Sequence, residues 1–157
     1  MTRAWAPAVV AAALLGCRAK PACPPGFWPD AQRTARVLEL LSADPEAREL
    51  LGAGAPSACY SPLGEGRITT DPLLLLSSAD DEREVAARAA HLLLHARERA
   101  TGLVEGGDCT ELVLAQVRAA EERGWKLEAR VSSRLGLPEK QGELDRLMTQ
   151  YRARCTK

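Results

Sequence analysis

Two histidines stand four residues apart in the run His91-Leu92-Leu93-Leu94-His95, and this 157-residue chain has no others. On an α-helix, positions four apart lie on one face, about one turn from each other. One helix can thereby offer two imidazoles to a single metal ion. Further along the chain come Glu121, Glu122 and Glu128, and Glu121 and Glu128 share a helix face with Trp125. A plainer arrangement also fits. The imidazoles would then be polar filling beside a core, bonded to carboxylates such as Glu84 and Glu98. The later glutamates would be a solvated face among Arg118, Arg123, Lys126 and Arg130.

The spacing places both histidines on a helix over residues 78–99. Ser78 and Asp81 fit a capping box, and Asp80, Asp81 and Glu82 suit the positive helix start. Val85, Ala89, Leu92 and Ala96 make its buried stripe, with His91 and His95 at the core boundary. Before it, RITTDPLLLLS (67–77) is the strongest strand signal in the chain, split by Asp71-Pro72 into a small hairpin. After it, a glycine-rich loop (102–107) leads to a helix over 109–135, opened by Asp108 and Glu111 and closed by Gly136 and Pro138. Leu112, Ala115, Ala119, Leu127, Val131 and Leu135 are its core candidates. A last helix, 139–154, turns Leu144, Leu147, Met148 and Tyr151 inward. Upstream, Asp30 caps a helix reaching Ser42 with a stripe of Ala35, Val37, Leu38 and Leu41. Pro45 opens a short helix that ends at Gly52. Residues 53–66, rich in Gly, Pro and Ser, read as a loop around Cys59 and Tyr60.

The expected fold is therefore mostly α (α+β), with four to five helices and a small β-hairpin. One domain fills residues 30–157. Hydrophobic residues at 46% and charged residues at 27% suit a folded domain. Lys plus Arg (21) balance Asp plus Glu (21), and no helix carries a basic stripe, which argues against a nucleic-acid partner. The chain shows no glycine-rich phosphate loop, no G-x-S-x-G elbow and no paired carboxylates framing a cleft.

The first sixteen residues have the parts of an export signal: Arg3, an apolar run over 4–15, and Gly16. That run covers about 18 Å of helix against a bilayer core of ~30 Å, so it does not span. Leu14-Leu15-Gly16-Cys17 resembles the bacterial lipobox. The resemblance implies cleavage before Cys17, acylation of that residue and a lipid-anchored envelope protein. Arg18 rather than aspartate after the cysteine points to the outer membrane. Residues 17–29 then form a proline-rich tether, with Phe27 and Trp28 docking its far end onto the domain. Without Cys17, an oxidising compartment leaves Cys23, Cys59, Cys109 and Cys155 for two disulfides. Three connectivities exist, of which Cys23–Cys59 with Cys109–Cys155 is favoured.

The order of apolar strand, His-x-x-x-His helix, loop and glutamate-bearing helix resembles the core of the zincin metallopeptidases. It is closest to the branch whose third ligand is a glutamate on the following helix, and the likeness covers residues 68–137. It implies a zincin-like helix pair at the core, His91 and His95 as zinc ligands, and Glu128 or Glu121 as the third. Leu92 occupies the position of that family's catalytic glutamate, so the general base of hydrolysis is missing. No catalytic residue is assigned. The reading is a non-catalytic, degenerate metallopeptidase-like domain acting in binding or structure, holding no cofactor or one zinc ion. Its partners would be the membrane, through the lipid, and an envelope protein. The alternative is a metal-binding protein or unorthodox zinc hydrolase using His91, His95 and a helix-borne glutamate.

Overall fold

The computed structural model describes residues 22–52, 56–64, 66–69, 73–98, 110–138 and 143–155. In chain order these residues form β1 (Trp28–Pro29), α1 (Ala31–Ser42), α2 (Pro45–Leu51), β2 (Ser57–Ser61), β3 (Arg67–Ile68), β4 (Leu73–Ser77), α3 (Glu82–Arg97), α4 (Glu111–Arg134) and α5 (Glu143–Cys155). The fold is mostly α with a small sheet, the class expected from the sequence. Among the described residues, no helix is long and apolar enough to cross a membrane.

The strands lie in the order β1-β2-β4-β3. β3 pairs antiparallel with β4, as the hairpin reading required, with Ile68 opposite Leu74. β2 pairs parallel with β4, placing Cys59 beside Leu75, and β1 closes the other edge antiparallel to β2. β2 corrects the loop expected over 53–66. The turn-forming residues of that stretch flank Ala58, Cys59 and Tyr60, whose side chains are buried as a strand. β4 is buried along its whole length because both faces are covered. Leu74 and Leu76 join the main core under α3, while Leu73 and Leu75 pack with Cys59, Cys23 and Phe27 on the outer face. A Cys23–Cys59 disulfide, with Cα atoms 5.7 Å apart, pins the covering segment there. Cys17 and Cys109 lie outside the described residues, and so does the Cys109–Cys155 pairing.

α3 is the central element, buried from Val85 to Leu94 apart from Arg88, and it packs against α1 and α2, against the sheet and against α4. Its first turn is shorter than the sequence suggested. Asp81 is the N-cap, accepting from the Arg83 N–H, and Ser78 instead receives Arg33 on its carbonyl oxygen. α4 starts at Glu111 under the Thr110 hydroxyl, which accepts from the Val113 N–H, while Asp108 lies outside the described residues. Gly136, at φ 69°, ends α4 in the left-handed region that glycine adopts without strain.

The buried stripe of α4 also differs from expectation. Leu112 is 69% exposed, and Ala115 and Ala119 face solvent; Val117, Ala120, Gly124, Leu127, Glu128 and Val131 are buried. That stripe includes a glycine and a glutamate, so hydrophobic periodicity alone does not find it. Asp44 anchors α4 to the other side of the core. Its carboxylate caps α2 through the Glu46 and Ala47 N–H groups and accepts from Arg130 Nε (3.1 Å) and Nη2 (3.2 Å); Arg134 Nε lies 3.1 Å away.

Candidate metal centre

α3 and α4 face each other with polar side chains where two apolar faces would be the ordinary outcome. His91 and His95 are 3% and 8% exposed, so both are deeper than the core boundary expected of them. Their Nε2 atoms lie 2.8 Å apart. From α4, Glu121 places Oε2 3.1 Å from His91 Nε2 and Oε1 3.5 Å from His95 Nε2. Ligand atoms around a tetrahedral zinc with bonds of ~2.0–2.1 Å sit about 3.3 Å apart. The Glu121 oxygens stand near that distance from the two imidazoles, Oε2 from His91 and Oε1 from His95, and the two Nε2 atoms lie closer than it. His91, His95 and Glu121 therefore form a group that could hold a metal ion.

Of the two glutamates the sequence offered, Glu121 joins this group and Glu128 does not. Glu128 takes the other side of His91. Its Oε2 accepts from His91 Nδ1 at 3.0 Å, and its Oε1 lies 3.4 Å from Arg88 Nη2. With a metal bound, a carboxylate at Nδ1 would keep the ring proton there and leave Nε2 to ligate; without one, Nε2 stands within hydrogen-bond reach of Glu121. Arg88 balances the buried charge of Glu128 and stacks over Trp125, 4.7 Å from the ring centroid. Trp125 meets His91 edge-on at 5.0 Å, a packing role for that residue.

Gly124 makes the approach of the helices possible. A Cβ there would lie 2.6 Å from His91 Cδ2 and Nε2, well inside contact distance. The sequence showed this glycine only as a weak point in a helix; its role depends on the facing side chain.

The electrostatics follow from burial and pairing. Burial alone would push the His91 imidazole down, but hydrogen bonds to Glu121 and Glu128 outweigh it and hold the pKa above the ordinary value. Burial would raise the Glu121 carboxyl, yet His91 and His95 bring it down to about 2. The group thus carries an anionic ligand beside two imidazoles. His95 Nδ1 is buried and makes no hydrogen bond, in contrast to His91 Nδ1.

Leu92 packs into the main apolar core at 7% exposure. Neither Glu84 nor Glu98 belongs to the ligand group. Glu98 is occupied at the surface by Arg123, whose Nη2 donates at 2.7 Å. As a site for chemistry, the arrangement offers an N2O ligand set and an oriented imidazole. No family model, curated protein or solved structure matches this chain.

Proposed function

We propose that the chain is an exported, lipid-anchored envelope protein whose helical domain binds one zinc ion through His91, His95 and Glu121, for structure or partner binding rather than peptide hydrolysis. The convergence of three ligand atoms from α3 and α4 carries this reading. Imidazole and carboxylate donors suit zinc. The bond from His91 Nδ1 to Glu128 supports it, because ligand histidines ordinarily donate their other nitrogen to a carboxylate or carbonyl. Leu92, buried among apolar residues, argues against hydrolysis, since no carboxylate stands where the zincin metallopeptidases keep their base. The lipobox-like run ending in Cys17 supplies the anchor.

Elemental analysis of the purified full chain tests the metal. About one zinc per chain, lost in His91→Ala, is expected, together with no release of peptide fragments from unstructured protein substrates. Zinc far below stoichiometry would leave the cluster as a proton-sharing network in the core. In that case the 2.8 Å contact between the imidazoles is a hydrogen bond. Cys17→Ser should move the protein from the membrane fraction to the soluble one, and its retention there would refute the anchor.

A further inference from the structure

Three ligands leave a tetrahedral zinc ion one short. Structural sites close the fourth position with protein, while catalytic sites leave it to water. A further polar atom reaches the group from α5: the Tyr151 hydroxyl donates to Glu121 Oε1 at 3.5 Å. That same oxygen lies 3.5 Å from His95 Nε2. The Tyr151 hydroxyl thus stands 3.5 Å from Glu121 Oε1, close to the ~3.3 Å that neighbouring ligands of one tetrahedral zinc keep, provided that Oε1 is the ligating oxygen.

We infer that Tyr151 is the fourth ligand of the metal, so that the ion closes its own site and ties α3, α4 and α5 together. The inference rests on the zinc reading above. Coordination replaces the hydroxyl proton, which leaves to solvent, and Glu121 exchanges a hydrogen-bond donor for the metal.

The packing of α5 shows what such a bond would add. α5 docks chiefly on α4. Met148 is its one buried side chain among the described residues, and Tyr151 is half-buried. Its ion pair to α4, Arg118–Asp145 at 3.7 Å, has both partners largely exposed and so contributes little. A metal bond at Tyr151 would add a strong tie between α5 and the core. A closed position also agrees with Leu92, because neither an activated water nor a base to activate it is then required.

The test uses the full chain and its Tyr151→Phe variant, which keeps the packed ring and removes only the hydroxyl. Each is loaded with Zn(II) alone and with Cu(II) alone. In the wild type, the Cu(II) form should show a phenolate-to-copper charge-transfer band, absent in Tyr151→Phe. Zn(II) affinity should fall by about tenfold or more in the variant, at least the loss an orienting partner causes. Zn(II) should also slow amide exchange across residues 143–155 in the wild type and not in the variant. Stoichiometric zinc in both proteins, with equal affinity and no charge-transfer band in either, would overturn the fourth-ligand role and leave the three-ligand site standing. A wild type that binds neither ion would overturn both readings.

Discussion

His91 Nδ1 donates to Glu128 Oε2 across 3.0 Å, while Glu121, two turns earlier on the same helix, approaches the opposite nitrogen of that ring. Two carboxylates thus hold one imidazole from both sides, and their roles differ. On the zinc reading proposed above, removing Glu121 would remove a ligand, whereas neutralising Glu128 would only loosen the tautomer and orientation of His91. Glu121→Gln should abolish stoichiometric zinc. Glu128→Gln should retain it with affinity lowered ~10–100-fold, the usual effect of losing such a partner. Competition with a chromogenic chelator measures both. Equal losses would place the two glutamates in one coordination shell.

A second consequence concerns Gly124. Its missing side chain is where the His91 ring sits, so Gly124→Ala forces the helices apart or turns the ring. Against this, alanine favours an isolated helix by ~1 kcal/mol. We expect the clash to win. Thermal unfolding of the metal-free protein should show a destabilisation of about 1–3 kcal/mol, the usual range for overpacking. A stabilised variant would mean that α3 and α4 stand further apart than described.

Much of the architecture was legible from local signals. The cap at Asp30, Pro45 at the start of α2, the antiparallel pairing of β3 with β4 and the glycine stop at Gly136 are short-range chemistry, and each appears in the structure. β2 was missed because its pairing with β4 and its disulfide cover are long-range, while its flanks read as loop. The face of α4 was misjudged because it sets Gly124, which seats the His91 ring, and the buried Glu128 among its apolar residues. At the site itself, the histidine spacing and both glutamates were visible. Sequence could not say which glutamate turns toward both imidazoles, since that depends on how α4 is rotated against α3. The clamp from Asp44 to Arg130 and Arg134 was equally hidden, because its partners lie on separate elements.

Leu92 invites an engineering experiment. If a missing base were the sole obstacle to hydrolysis, Leu92→Glu would restore it. Leu92 instead packs in the apolar core at 7% exposure, so a carboxylate there must be desolvated. The variant should lose about 2–5 kcal/mol of stability from lost packing and charge burial, and it should cleave no peptide. Denaturant unfolding and a quenched-peptide assay together read this out. Detectable zinc-dependent cleavage would show that position 92 reaches the metal.

The last prediction concerns acid. Burial acts to raise the Asp44 carboxyl, but hydrogen bonds from Arg130 and the Ala47 N–H, with the charges of Arg130 and Arg134, bring its pKa below the ordinary 3.8. A carboxyl depressed in the folded state stabilises the protein above its unfolded pKa and ceases to do so as pH falls through the folded value. Asp44→Asn separates the charge from the cap, because asparagine still caps α2. The stability gap between wild type and Asp44→Asn should therefore be constant at neutral pH. It should narrow as pH drops below 3.8 and vanish once the native carboxyl is protonated. Asp44→Ala should lose a further ~1 kcal/mol at every pH, the contribution of the cap itself. Urea unfolding of the three proteins across an acid series checks both parts. A gap that stays constant into acid would assign the effect of Asp44 to its hydrogen-bond geometry, with the charges of Arg130 and Arg134 contributing nothing.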